Sequence, residues 1–312
     1  MGHHLILGAG GIGLETAIAL TRRGEQVTIG SRSGTDPGLP GVTATVVDAT
    51  DADALTTASA GVDTIINAMN PKSYVHWDRD WPPVAHAVLS AAQRSEVGLV
   101  TVSNLYGYGR VDAPMTEETP MRPNGTKGAV RAAMWADALA AHDAGRVRAT
   151  ELRASDYLGE RASKQMSFLT EFVLSPAFRG RTSRIPMGRP DVQHSWTYLA
   201  DIGELAATLA TDDRSWGHAW LVPTDAPRTM NQAAADAAEL GGQAGSRVTP
   251  WPRWLQQAAR VSALIRSLDE TRHQFEQPFV MDSRHTEQTF GLAPTPWATA
   301  LERTLRGAGA GN

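Results

Sequence analysis

The chain of 312 residues contains no cysteine. Disulfide bonds, thiol nucleophiles and cysteine-ligated metal sites are therefore excluded. No uninterrupted apolar run approaches the roughly 18 residues that a transmembrane helix needs, so we expect no membrane span. Dense runs of lysine and arginine are also absent and the formal net charge is −4, which argues against nucleic acid and anionic membranes as partners.

The remaining composition is that of an ordinary globular protein. Hydrophobic residues make up 42% of the chain and charged residues 20%, which allows one large domain or a domain with a smaller lobe. An apolar segment begins almost at the first residue, which leaves no room for a signal peptide and predicts a cytoplasmic protein. His194 and His218 lack metal-ligand spacing, so no metal is expected. We expect a monomer or homodimer that acts on a small molecule.

A glycine-rich turn follows the first apolar segment. Residues 5–7 are predicted to form a buried strand, and GxGxxG follows at positions 8–13. The first glycine of this pattern permits a tight turn, the second lets a pyrophosphate approach the backbone, and the third allows close helix packing. The helix then offers free N–H groups and a positive dipole end to phosphate. The residues predicted to bind a cofactor here are Gly8, Gly10, Gly11, Ile12 and Gly13.

The surroundings of this turn favour a dinucleotide site over an accidental glycine turn. Residues 12–21 have mostly helical apolar spacing, Gly24 provides a stop, and residues 26–29 form a second strand. An NAD site normally places an acidic residue at the end of that strand, whereas an NADP site offers arginine to the 2′-phosphate. Ser31 and Arg32 occupy the position, so NADP(H) is favoured over NAD(H), with a solvated arginine as the alternative.

Strands and helices alternate through the first half of the chain. Further strands are predicted at 41–48, 62–67, 98–104 and 147–153, which indicates an α/β fold with a Rossmann-like, doubly wound parallel sheet. Beyond residue 159 the alternation stops, and helices are predicted over 163–174, 231–240, 254–268 and 297–305. We therefore divide the chain into an NADP-binding domain at 1–158, with return segments near 190–222, and a smaller substrate lobe at 159–312.

Two segments at strand ends are candidates for ligand contact. Asp48 follows the third strand and could touch the adenine, or it could simply cap the next helix. Residues 67–83 form a predicted loop in which Tyr74, His76 and Trp77 are candidate substrate contacts. The alternative is a loop folded over a helix that starts near Val84, with its tryptophans packed inside.

The order of these features resembles the extended and atypical short-chain dehydrogenase/reductase superfamily, which includes NAD-dependent epimerases and dehydratases. The likeness covers nearly the whole chain, and it implies cofactor contacts beyond the glycine turn. The features that carry the resemblance are the GxGxxG turn, Asp48, Asn67-Ala68, Ser103 with Tyr106-Gly107, Lys127, residues 153–159 and the segment 290–296, which looks like the family's small C-terminal lobe. Of these, Asp48, Asn67, Ala68 and Lys127 are implied cofactor contacts.

The resemblance also implies a serine and a YxxxK pair, in which tyrosine exchanges the proton and lysine assists it. This chain departs from that pattern, because Pro123 stands four residues before Lys127. Tyr106, Tyr108 or Tyr157 could substitute, and Ser103 could polarise a carbonyl or act as a capping group. The predicted catalytic residues are Lys127, Tyr106 and Ser103. The predicted substrate contacts are Tyr74, Trp77, Tyr108, Tyr157 and Trp196.

These observations predict an NADP(H)-dependent oxidoreductase that acts on a carbonyl, an alcohol or an activated double bond. The nine tryptophans favour a small apolar or aromatic metabolite as substrate. One alternative is an epimerase, dehydratase or isomerase that uses the cofactor without net oxidation. Another is a catalytically silent protein that senses NADP or binds a partner, which the missing tyrosine would explain.

Overall fold

The structure, a computed structural model, describes residues 1–70, 73–162 and 167–309. The strands are β1 (His3–Leu7), β2 (Gln26–Ser31), β3 (Val42–Val46), β4 (Thr64–Asn67), β5 (Gly98–Asn104), β6 (Ala149–Ala154), β7 (Tyr157–Leu158), β8 (Ser183–Ile185), β9 (Thr197–Tyr198), β10 (Ala219–Leu221) and β11 (Val248–Pro250). The helices are α1 (Gly11–Arg22), α2 (Ala52–Ala58), α3 (Trp77–Arg94), α4 (Thr126–Asp143), α5 (Ser175–Phe178), α6 (Leu199–Thr211), α7 (Met230–Leu240), α8 (Arg253–Ala259), α9 (Ala263–Ser267), α10 (Arg284–Phe290) and α11 (Trp297–Gly309).

A seven-stranded sheet with the order β10-β6-β5-β4-β1-β2-β3 forms the centre of the fold. Every pair of neighbouring strands in it is parallel. Strands β4 and β6 are buried along their whole length, as expected for strands covered by helices on both faces. The predicted α/β class and doubly wound sheet are therefore confirmed. The strand order reverses between β1 and β4, and ligands bind at the carboxyl ends of strands at such a point.

The chain folds into two compact units. The first comprises Met1–Gly107, Thr126–Ala154 and Ala200–Val222, and it holds the seven-stranded sheet. Apolar side chains of β1, β4, β5 and β6 and of the helices packed on them form its core. This division differs from the predicted one: residues 108–125 belong to the second unit, and the return segment begins at Ala200.

The second unit comprises Tyr108–Gly125, Ser155–Leu199 and Pro223–Asn312. Its strands form two short parallel pairs, β7 with β9 and β8 with β11. Of the predicted helix 163–174, residues 163–166 lie outside the described residues, and Thr170–Leu174 forms a π-helical turn. The single helix predicted over 254–268 is wrong: α8 and α9 are separate, because tight turns interrupt the helix at residues 260–262.

Helix α3 begins earlier than the sequence suggests. It starts at Trp77 rather than near Val84, so the second half of the predicted loop is helical, with Pro82 and Pro83 inside the helix. Asp78 and Asp80 in its first turn suit the positive end of the helix dipole. Within the part of the chain that the structure describes, no helix is long and apolar enough to cross a membrane.

Candidate active site

The glycine turn after β1 has the geometry that its sequence predicts. Gly8 has a φ of +110°, in the region that side chains rarely adopt. A Cβ atom at Gly13 would lie 2.0 Å from the Gly8 carbonyl oxygen, so only glycine allows this close approach. At Gly10, by contrast, a Cβ atom would meet no atom within 4 Å. The backbone at Gly10 is therefore open to a ligand.

The N-terminus of α1 is built to receive an anion. Gly10 is its N-cap residue, and among the described residues no side chain caps this end or adds an acidic group to its first turn. The backbone N–H groups of Gly11 and Ile12 and the positive end of the helix dipole are thus left for a ligand. Together with the open backbone at Gly10, these features fit the pyrophosphate of a dinucleotide.

The loop after β2 carries the residues predicted to choose between NAD and NADP. Ser31 Oγ accepts a hydrogen bond from the Gly34 N–H at 3.1 Å, which shapes the loop, while Arg32 is exposed. Asp48 is also exposed, and its Oδ1 accepts bonds from the N–H and the hydroxyl of Thr50 at 2.9 and 2.8 Å. These bonds lower the pKa of Asp48.

Asp48 is not a helix cap, because Asp51 caps α2 instead. Its contact with adenine stays a prediction. At the end of β4, the side chain of Asn67 is buried and accepts a hydrogen bond from the Met69 N–H at 3.3 Å. The Ala68 N–H donates to the Leu7 carbonyl at 3.0 Å. Asn67 and Ala68 therefore lie beside the end of β1, where the strand order reverses.

Two tyrosines and a lysine come together at the carboxyl end of β5. The hydroxyl groups of Tyr74 and Tyr106 are joined by a short hydrogen bond, and we refer to these two residues as the tyrosine pair. Lys127, at the start of α4, is 2% exposed, and its Nζ lies 5.0 Å from the centre of the Tyr74 ring. The structure thus brings Tyr106 and Lys127, both predicted catalytic residues, into one cluster with Tyr74.

Trp77 packs against the same cluster. Its ring centre lies 5.3 Å from that of Tyr74 and 6.0 Å from that of Tyr106. The side chain is only 2% exposed and also packs edge-on against Trp81. Its present environment is that of a packing residue, and its contact with substrate stays a prediction.

Buried charged groups lie on the same unit of the fold. Arg131, Glu151 and Arg153 are each at most 3% exposed, and Arg153 Nε donates to Glu151 Oε1 at 2.6 Å. Burial raises the pKa of Glu151, which Arg153 and Arg131 oppose. Burial also lowers the pKa of Arg131 to about 10, while negative charge on Glu151, Tyr106 and Tyr74 raises it.

Ser103 is paired in register with Arg153 across β5 and β6. Its side chain is 5% exposed. The hydroxyl lies close enough to Glu151 to lower the pKa of that carboxyl group, but it meets no described atom in hydrogen-bond geometry. Ser103 is therefore not a capping group, and its role in polarising a carbonyl stays a prediction.

Three predicted substrate residues lie in the second unit. Tyr108 is 1% exposed and Trp196 is 4% exposed, and the Trp196 Nε1–H donates to the Arg228 carbonyl at 3.0 Å. Tyr157 is half-buried on β7, and burial together with the Asp156 charge raises its pKa to about 12. Their contacts with substrate stay predictions.

The sequence reasoning missed the buried charges around the tyrosine pair. Arg131 stands four residues after Lys127 on α4, a spacing that puts both on one helix face. Glu151 and Arg153 are two residues apart in β6 and so lie on the same face of the strand, which was the available signal for an ion pair. The contact of His194 with Asp156 was also missed, because it joins residues 38 positions apart.

Comparison with models of protein families identifies the family of the chain. Residues 4–222 match the model of the NAD dependent epimerase/dehydratase family. The chain belongs to this family. The resemblance to the extended short-chain dehydrogenases/reductases is confirmed. The family match also supports an enzyme that uses a nicotinamide cofactor. No curated protein matches the chain in a sequence search.

Solved structures share the fold of this epimerase/dehydratase-family chain at low sequence identity. The dTDP-glucose 4,6-dehydratase of Bacillus anthracis in complex with NAD is 15% identical, with a TM-score of 0.79 over 100% of this chain and 98% of its own. The UDP-glucose 4-epimerase of Thermus thermophilus in complex with NAD is 18% identical, with a TM-score of 0.78 over 99% and 100%. Epimerase Mth375 of Methanothermobacter thermautotrophicus is 16% identical, with a TM-score of 0.79 over 99% and 92%.

Proposed function

We propose that the chain is an NADP(H)-dependent oxidoreductase acting on a carbonyl, an alcohol or an activated double bond of a small apolar or aromatic metabolite. The observation that carries the proposal is the contact of the tyrosine pair with Lys127. The tyrosine pair would supply a hydroxyl that exchanges the proton, because Pro123 occupies the position of the usual tyrosine. The aromatic surroundings of this pair support an apolar substrate.

The glycine turn and the N-terminus of α1 would hold the pyrophosphate of the cofactor. Arg32 would bind the 2′-phosphate through a charge-assisted hydrogen bond, and Ser31 would add a second polar contact. Bound NADPH would supply a hydride to the carbonyl carbon of the substrate.

The chain's own residues would handle the proton. In the reducing direction, the O–H bond of one hydroxyl in the tyrosine pair breaks, and the proton bonds to the carbonyl oxygen of the substrate. The phenolate that remains is stabilised by the hydrogen bond from the other tyrosine and by the Lys127 ammonium group, and it takes a proton back from water. Ser103 would donate a hydrogen bond to the same carbonyl oxygen.

The proposal is tested by mixing the purified protein with NADPH and a panel of apolar and aromatic aldehydes, ketones and enones. We expect loss of nicotinamide absorbance in a one-to-one ratio with reduced product. Tight NADPH binding without turnover across the panel would contradict an enzymatic oxidoreductase and favour a sensor.

The second candidate function is an epimerase or dehydratase without net redox change, which family membership favours. Its signature is a rearranged product formed when the oxidised cofactor is supplied, with the total amounts of oxidised and reduced cofactor unchanged. Nucleotide sugars should therefore be included in the panel, because two of the structural neighbours are named for them. Turnover of a nucleotide sugar with NADP+ or NAD+ and no net change in nicotinamide absorbance would replace the oxidoreductase proposal.

The cofactor preference has its own test. Arg32→Glu should weaken NADPH binding about tenfold or more, since it removes a charge-assisted hydrogen bond and adds repulsion, while NADH binding changes little. Arg146→Glu is the matched control, because Arg146 is also exposed in the first unit but lies away from the glycine turn in sequence. Equal NADPH affinity in the two variants would contradict the role of Arg32.

A further inference from the structure

Arg131 is the buried cation whose surroundings the proposed function leaves unexplained. Its guanidinium carbon lies 4.4 Å from the centre of the Trp81 ring and 5.2 Å from that of Trp77. Nη1 makes a long hydrogen bond of 3.4 Å to the Val102 carbonyl, and Nε has no partner among the described residues. A guanidinium group with this little hydrogen bonding is costly to bury for packing alone.

Glu151, the carboxylate that acts on this cation, is already shared. Glu151 accepts a hydrogen bond of 2.6 Å from Arg153, so one buried carboxylate faces two buried guanidinium groups. Lys127 adds a third buried cation one helical turn before Arg131. The acidic groups that act on the Arg131 charge are Glu151, Tyr106 and Tyr74. The tyrosine pair thus lies within electrostatic reach of the Arg131 charge.

Trp77 connects Arg131 to the tyrosine pair physically. The guanidinium group lies over the Trp77 ring, and the same ring packs against the rings of both tyrosines. Moving the guanidinium group would therefore move the indole that supports the two phenol rings. Arg131 is therefore linked to the tyrosine pair both by its charge and, through Trp77, by packing.

We propose that Arg131 is a positioning residue: its buried guanidinium group stabilises negative charge on the tyrosine pair and thereby keeps that pair able to exchange a proton. The positive charge of Arg131 lowers the energy of the phenolate, since the two interact in a poorly solvated region. Trp77 and Trp81 hold the guanidinium group in place by cation–π contacts. The proposal deepens the proposed function and rests on it for its role in turnover, but the charge on the pair can be measured without substrate.

A tyrosinate titration tests the proposal. The chain has five tyrosines, of which Tyr157 has a pKa of about 12 and Tyr198 has a raised pKa as well. The difference in ultraviolet absorbance between the unmutated protein and the Tyr74→Phe/Tyr106→Phe variant isolates the transition of the pair. We expect Arg131→Met to raise the midpoint of this transition by about one pH unit or more, and Arg131→Lys to restore most of the original midpoint.

A second substitution makes the test independent of the folding of Arg131→Met. Glu151→Gln removes the carboxylate that offsets the buried cations, so it should move the midpoint in the opposite direction, to lower pH. Arg148→Met is the matched control, because Arg148 also lies over an indole, that of Trp216 at 4.9 Å, but is about half exposed. It should leave the midpoint unchanged.

The outcomes separate this inference from the proposed function. An unchanged midpoint in folded Arg131→Met, or a higher midpoint in Glu151→Gln, would overturn the role of Arg131 even if the protein reduces carbonyls. The expected changes of midpoint in a protein that oxidises no NADPH would support the role of Arg131 while contradicting the oxidoreductase proposal. In an active protein, Arg131→Met should displace the pH profile of kcat by the same amount as the titration.

Discussion

Each unit of this protein contains a buried nitrogen-bearing group stacked on aromatic rings. In the first unit it is Arg131 over the indoles of Trp77 and Trp81. In the second unit it is His194, whose ring lies 4.0 Å from that of Trp196 and is parallel to that of Phe275 at 5.2 Å. The aromatic packing of the two groups is similar, so the comparison isolates their hydrogen bonding.

The two groups differ in how their N–H groups are satisfied. His194 Nδ1 lies 3.0 Å from the Gln274 carbonyl, to which it can only donate, and Nε2 lies 3.0 Å from Asp156 Oδ2. Both ring nitrogens are therefore engaged, whereas Arg131 keeps an unpartnered Nε among the described residues and a long bond to Val102. A satisfied network of this kind stabilises the fold, whereas the less satisfied Arg131 is the group that we propose acts on the tyrosine pair.

Removing the hydroxyls of the tyrosine pair should have the largest effect. Tyr74→Phe/Tyr106→Phe should lower kcat by about 10²- to 10⁴-fold, the usual contribution of a general acid or base. Its free energy of unfolding should change little by comparison, because both rings stay in place. Steady-state kinetics with NADPH and urea unfolding measure the two quantities.

The control for this double variant lies in the second unit. Tyr198 donates a hydrogen bond of 2.7 Å to Glu160, so Tyr198→Phe also removes a bonded phenol hydroxyl. It should change stability modestly and leave kcat within a factor of about two. If the tyrosine pair variant kept full activity, the site would lie elsewhere in the chain.

Removing the His194 side chain should have the opposite result to removing the tyrosine hydroxyls: the free energy of unfolding should fall clearly while kcat changes little. His194→Leu leaves the Asp156 carboxylate and the Gln274 carbonyl without their donor, so we expect the free energy of unfolding to fall by about 2 kcal/mol. Urea unfolding measures this loss. The exposed His218 provides the control, and His218→Leu should stay within about 0.5 kcal/mol. Equal stability of the two variants would remove the contrast between the units.

The smallest predicted effect concerns the pH dependence of stability. The pKa of Glu151 is raised in the folded state, so the folded protein binds this proton more tightly than the unfolded chain. Stability should therefore fall as pH rises from the ordinary glutamate pKa of 4.5 toward the raised pKa, by about 1.4 kcal/mol for every pH unit between the two. Glu151→Gln should lack this decrease when urea midpoints are compared from pH 4 upward. A parallel pH profile in both proteins would contradict the raised pKa.

Local features of the fold followed from the sequence, because their determinants are neighbours in the chain. The roles of Gly8, Gly10 and Gly13 depend on a turn of six residues and on backbone contacts that only glycine allows. The alternation of strands and helices likewise sets the parallel sheet. These predictions needed no knowledge of distant contacts.

The composition of the candidate active site was harder to predict because it depends on contacts across the chain. Tyr74 and Tyr106 are separated by 32 positions, and no spacing rule links a residue before α3 to one after β5. The sequence treats Pro82 and Pro83 as the end of a loop, whereas the packing of Trp77 and Trp81 in the core stabilises a helix through them. Tertiary burial outweighs the local preference of proline here.

The two prolines inside α3 also divide that helix into segments of different exchange behaviour. Proline has no N–H, so positions 82 and 83 donate no hydrogen bond to the carbonyls of Asp78 and Arg79. The turn that carries Trp77 and Trp81 is therefore joined to residues 84–94 by a helix that lacks two of its backbone hydrogen bonds. Its amide protons should exchange with deuterium in a separate, lower-energy opening. Deuterium exchange of the first turn that is slower than or equal to that of residues 84–94 would contradict this expectation.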